Sequence, residues 1–174
     1  DNDEYFKRKA TFSDEEGVLY PDNDERAIFF AKGVVETVKK LNWVPDVIHV
    51  HGWMAALLPV YLKHYYKDEG IFAETKIISS VYEQGFEGEL DANLMSKILF
   101  DNISKEAIDV IEKPTYENIM KLSVLHSDAV VIGSEVLSPT LTKFIESSNK
   151  PFLPFASKDT IKEEYTSFIK NHVL

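Results

Sequence analysis

Cysteine is absent from the 174 residues. Disulfides, thiolate metal sites and thiol nucleophiles are thereby excluded together, and the absence suits a reducing cytoplasmic setting. Positive charge is also scarce: 19 basic residues against 29 acidic ones leave a formal net charge of −10. Such a field repels phosphate backbones and anionic membrane surfaces, so neither nucleic acid nor membrane is an expected partner. No apolar run is long enough to span a bilayer, and no segment has the form of a signal peptide. Methionine does not open the chain. Asp1 and the residues after it read as mid-protein sequence, which leads us to expect upstream sequence beyond it. Neither an internal repeat nor a low-complexity tract is present.

What remains is apolar material sufficient for a core: 44% of residues are hydrophobic and 12% aromatic, the proportions of one ordinary domain covering residues 1–174. Residues 1 to 23 are polar and aperiodic and read as loop, with no core expected there. Asp22 and Glu25 have capping-box spacing, and Ala27, Ile28, Ala31, Val34, Val35, Val38 and Leu41 recur at helical intervals, predicting a helix over about 23–41. Val47 to Val50 reads as a buried parallel strand, and residues 53–66 resume helical spacing with Pro59 as a kink or a first-turn residue. Lys76 to Val81 is strand-like, and short helices are expected over 91–100 and 104–112. Thr115 should cap a helix running to about Ser127, followed by a strand at Ala129 to Ile132. Ser138 or Pro139 opens a further helix. A short strand near Phe152 and a helix over about 159–170 complete the chain. This alternation predicts an α/β fold, a parallel sheet with helices on both faces joined by right-handed crossovers.

Ligands of such sheets bind at the carboxyl ends of the strands, where loops diverge. Three loops meet that rule. After the first strand, His49 and His51 alternate onto one face, with His51 nearer the tip, where an imidazole can hydrogen-bond a sugar hydroxyl or a phosphate. The ordinary alternative for His49 is a satisfied core histidine. A divalent metal on His49 and His51 lacks a third ligand nearby, so no metal is expected. After the second strand, Tyr82, Glu83, Gln84 and Glu87 offer stacking and hydrogen bonding suited to sugars, and Gly85 and Gly88 permit close backbone approach. The competing reading is a solvated acidic turn. Glu87 and Glu89 share one extended segment with nothing to force their pKa values apart, a poor basis for glycoside hydrolysis. After the third strand, Gly133-Ser134-Glu135 can direct N–H groups at a phosphate, although helix capping by Ser134 is the more ordinary role.

The motif Asp22-Asn23-Asp24-Glu25-Arg26 before an apolar helix, with the block Trp43-Val44-Pro45-Asp46-Val47-Ile48-His49-Val50-His51-Gly52-Trp53 and its continuation Ala56-Leu57-Leu58-Pro59-Val60-Tyr61-Leu62-Lys63, resembles the N-terminal domain of bacterial and plant starch or glycogen synthases. Ser127 to Ser134 extends the similarity. The resemblance implies one half of a two-domain GT-B glycosyltransferase: a Rossmann-like, acceptor-side domain that binds α-glucan, facing a second domain that holds most of a sugar nucleotide such as ADP-glucose. No further cofactor is implied. It marks His51 as the active-site histidine and carries over Trp53 and Ser134 as substrate-binding positions, to which the second loop adds Tyr82, Glu83 and Gly88. The chain departs from the family where Gly52 replaces an aspartate, Met54 a histidine, and Tyr82-Glu83 a His-Asn pair, and it lacks the Lys-Thr-Gly-Gly-Leu loop. These departures imply that the chain alone is not a competent catalyst, and that it acts either with a nucleotide-sugar domain from a partner chain or further sequence, or as a non-catalytic glucan-binding or regulatory relative.

Overall fold

The computed structural model describes residues 2–174. Four strands, β1 (Val47–His51), β2 (Lys76–Val81), β3 (Ala129–Ile132) and β4 (Phe152–Leu153), lie in sequence order in one sheet, and every pairing is parallel. The helices are α1 (Asp3–Phe6), α2 (Asn23–Lys40), α3 (Leu58–Val60), α4 (Leu94–Phe100), α5 (Lys105–Ile108), α6 (Tyr116–His126), α7 (Pro139–Ser147) and α8 (Ile161–His172). Because each strand is added on the same side of the last, right-handed crossovers place their helices on one face. That face carries the larger core, in which Ala27, Ala31, Val35 and Val38 of α2 meet Val50, Ile77, Val81 and Val130 of the sheet and Ile119 and Leu122 of α6. After β4 the chain crosses over. Phe168 of α8 and Val173 just beyond it then cover Ile78, Ala129, Val131 and Leu153 on the opposite face. The expected parallel sheet with helices on both faces is thus what forms, and among the described residues no helix is long and apolar enough to cross a membrane.

Local chemistry explains the boundaries. Thr115 accepts a hydrogen bond from the Asn118 N–H at the start of α6, and Ser138 from the Leu141 N–H at the start of α7, with Pro139 in the first turn. Three expectations need correction. Asp22 forms no capping box, because Arg8 binds its carboxylate, holding it below the usual aspartate pKa range. Residues 53–66 are not one helix: a 3-10 turn (Trp53–Ala55), α3 with Pro59 in its first turn, and a π turn (Tyr61–Tyr65) follow one another. The amino-terminal stretch is not free of core contacts either. Phe12 lies 4.8 Å from the Trp53 ring, and Tyr5 hydrogen-bonds Glu25 at 2.8 Å. Aperiodic sequence hid these contacts, since single anchoring side chains leave no period to detect.

Candidate functional site at the carboxyl rim of the sheet

Strand alternation sends His49 and His51 to the α8 face, while Val50 between them enters the larger core. The two rings lie with centroids 3.9 Å apart. Directly across the rim, His51 pairs in register with Ser80 and Val81 with Ile132, so Tyr82 and Gly133 extend the same line beyond the strand ends. His51, Tyr82 and Gly133 line a crevice of about 140 Å³ with His49 and Ser80, fenced by Phe155, Ile161 and Tyr165 from the C-terminal segment.

His49 is fully engaged. Its Nε2 lies 2.8 Å from the Ser80 hydroxyl and its Nδ1 is hydrogen-bonded to the Tyr165 hydroxyl. Burial, assisted by the neighbouring His51, lowers its pKa to about 4, and burial raises that of Tyr165 to about 12. A neutral ring has one N–H and one lone-pair nitrogen, and a hydroxyl that can donate or accept stands at each, so both nitrogens are satisfied in either tautomer. The core-histidine reading of His49 therefore describes its bonding, although it also lines the crevice.

His51 is different. The residue as a whole is exposed although its ring is partly desolvated against the crevice, and its Nδ1 lies 2.9 Å from the Tyr82 hydroxyl. Among the described residues no hydrogen bond engages its Nε2. Burial pushes its pKa below the ordinary value, so the ring is neutral at pH 7. When Tyr82 donates to Nδ1, Nε2 carries the proton and is a donor without a protein partner on a residue that lines the crevice. Tyr82 is itself held from below: a Cβ on Gly133 would lie 2.4 Å from its ring, so glycine is what admits the ring. The Tyr116 hydroxyl donates to the Tyr82 carbonyl at 2.8 Å.

The remaining sequence candidates are dispersed. Trp53 is 3% exposed, packed between Phe12 and Phe86 beneath the rim, and presents no ring face to the crevice. Ser134 does not cap a helix. Its hydroxyl accepts the Glu83 N–H at 3.0 Å, tying the second loop to the third, and Ser138 does the capping instead. Glu83 and Gly88 are exposed and do not line the crevice, and Gly88 has φ +79°. Gly52, at φ 69° and ψ 179°, occupies a backbone region open in practice only to glycine, so an aspartate there would require another loop path. Both His49 nitrogens are held by hydroxyls, and among the described residues no group of three or more ligating side chains comes together.

Sequence reasoning missed Ser80 and Tyr165, and it read Gly133 as a phosphate-facing N–H where the structure uses it to admit the Tyr82 ring. Ser80 was legible in principle as the strand residue sharing the face of Ile78, but Tyr165 lies 116 residues from His49, beyond any local pattern. A larger concavity, about 820 Å³ between α2 and α4, was also unforeseen. Most of its charged groups are drawn into ion pairs, Lys97 with Asp24 and Glu25 and Lys32 with Asp101. For that reason the smaller rim crevice, with its uncommitted imidazole nitrogen, is the better candidate site.

Residues 1–146 match the family model described as the starch synthase catalytic domain. The glycogen synthase of Geotalea uraniireducens is 32% identical over 135 residues, covering 78% of this chain and 28% of its own length. That of Chlorobium limicola is 38% identical over 104 residues, 59% of this chain and 21% of its own. The Thermotoga petrophila glycogen synthase is 32% identical over 147 residues, 84% of this chain and 28% of its own. Among solved structures, the catalytic domain of starch synthase IV from Arabidopsis thaliana, bound to ADP and acarbose, superposes with a TM-score of 0.63 at 17% identity, covering 88% of this chain and 33% of that one. At that identity the likeness is one of fold. The chain spans less than a third of the length of these relatives, and β4 and α8 lie outside the family match.

Proposed function

The chain belongs to the family of starch synthase catalytic domains, and from that premise we propose that it is the acceptor-side half of a GT-B glycosyltransferase, with residues 1–174 as a single domain, that builds α-glucan by transfer of glucose from a sugar nucleotide such as ADP-glucose. The observation that carries this reading is the His51 ring: neutral, oriented by Tyr82, and open at Nε2 at the carboxyl end of a parallel strand. A donor fixed in that way contributes to transfer by holding a sugar hydroxyl or a phosphate oxygen as charge develops. Tyr82 positions His51, Ser134 braces the loop carrying Glu83 and Gly88, and Trp53 supports the floor. A crevice of about 140 Å³ is well below the roughly 300–1,000 Å³ of ordinary ligand pockets, so it forms one wall of a cleft. The other wall, a nucleotide-sugar domain, comes from further sequence or from a partner chain.

One observation favours a second reading, a non-catalytic glucan-binding or regulatory relative. Phe155, Ile161 and Tyr165 fence the crevice from a segment outside the family match. The test is incorporation of glucose from ADP-glucose, and separately UDP-glucose, into glycogen by the native protein and by His51→Ala. Incorporation that falls by on the order of 10²-fold or more in the variant supports the transferase. Absence of incorporation with retained glycogen binding supports the regulatory relative, and neither turnover nor glucan binding would contradict both.

A further inference from the structure

A second histidine pair lies at the opposite, amino-terminal end of the sheet and has no part in the proposed transfer site. His64 comes from the π turn Tyr61–Tyr65, closed by a Tyr66 N–H to Tyr61 carbonyl bond of 3.0 Å. His126 is the last residue of α6, just before β3. π turns are rare and recur at functional sites; the wider turn here belongs to the segment that carries His64 to α6. The His64 Nε2 and His126 Nδ1 stand 3.3 Å apart. Both rings are partly exposed, which leaves the pair open to small solutes.

We infer that His64 and His126 form a two-histidine site for a borderline transition-metal dication such as Zn²⁺ or Cu²⁺. Two imidazole nitrogens bound at about 2.0–2.1 Å to one tetrahedral zinc stand about 3.3 Å apart, the separation found here. The ring centroids are 4.9 Å apart with planes at 85°. A straight N–H···N line would add a full ring radius to 3.3 Å at each end and hold the centroids farther apart, so the nitrogens face a common point to one side. His126 also has the bonding pattern of a metal ligand: its Nε2–H donates to the Ala107 carbonyl at 2.7 Å, which fixes the tautomer and leaves Nδ1 as the lone-pair nitrogen. His64 donates to that nitrogen in the free protein. Binding moves the His64 proton from Nε2 to Nδ1 through solvent, so both lone pairs reach the metal and no net proton is released at pH 7.5. Water completes the coordination. Burial keeps both rings below their ordinary pKa, hence neutral, as ligation requires. Lys63, Lys67 and Lys150 oppose a dication here, with Asp128 partly offsetting Lys63, which makes the affinity modest and tunable.

Calorimetric titration of the protein with Zn²⁺ alone should give one site, weakened about tenfold or more in His64→Ala and in His126→Ala, since losing even an outer-shell partner of a metal ligand costs about 10–100-fold. His51→Ala should leave it unchanged, and Lys67→Gln should tighten it. Should either histidine variant fail to fold, Cu²⁺ added to the wild type should broaden the ring resonances of His64 and His126 ahead of those of His49 and His51. Zinc binding insensitive to both substitutions, or broadening that begins at His49 and His51, would overturn the assignment.

Discussion

Two histidine pairs at opposite ends of one sheet are built from the same residue type and wired for different tasks. At the carboxyl rim, His49 spends both nitrogens on Ser80 and Tyr165, so only His51 keeps a free donor. At the amino end the two rings bring one nitrogen each to within 3.3 Å, and the outer nitrogen of His126 is anchored to a backbone carbonyl. All four have depressed pKa values through burial, yet one pair lies tilted by 42° with centroids at 3.9 Å while the other meets edge to face at 4.9 Å. Partners, more than exposure or charge, decide what an imidazole can do. A ring held by hydroxyls at both nitrogens orients its neighbour, while one whose nitrogen meets only a second imidazole, or has no partner, can turn it to a ligand.

The sharpest way to break the contrast is through its support. Trp53→Ala removes a ring packed between Phe12 and Phe86 under the rim and should cost about 3–5 kcal/mol in urea unfolding, while the zinc response at the amino end persists in the folded fraction. A loss below about 1 kcal/mol would mean that the indole is not part of the core. A smaller effect should follow from acidification. His49 has its folded pKa lowered to about 4 from an ordinary 6.5, so the unfolded chain binds more protons between those values. The contribution to stability is therefore complete above pH 6.5 and is lost as pH falls toward 4. His49→Gln should flatten the dependence of unfolding free energy on pH over that window, and an unchanged slope would show that the ring is already charged in the folded state.

How far the sequence discloses this arrangement differs between fold and site. Apolar runs at Val47, Lys76 and Ala129 and the helical spacing from Ala27 to Val38 are repeated signals, so the parallel α/β architecture was legible, and Thr115 and Ser138 announced their helix starts. Asp22 misled because a guanidinium fourteen residues away outcompetes its own helix N-terminus. Ser134 misled because the hydroxyl braces Glu83 across the rim. At the site, alternation alone put His49 and His51 on one face. The position nearer the strand tip already singled out His51, but the groups that hold His49, Tyr165 and Ser80, come from distant sequence and were not readable. The His64–His126 meeting was invisible for the same reason: 62 residues separate the partners, and only the crossover and α6 bring them together.

The central claim is that the Nε2 of His51 is a free donor at the rim crevice proposed to bind sugar. Long-range ¹H–¹⁵N spectra of the histidine rings, recorded at pH 7 while a maltooligosaccharide is titrated in, test it directly. The account predicts a neutral His51 in the Nε2–H tautomer whose resonances move with added glucan, with His64 and His126 unmoved. A His51 protonated on Nδ1 alone, or one indifferent to saturating glucan, would contradict it.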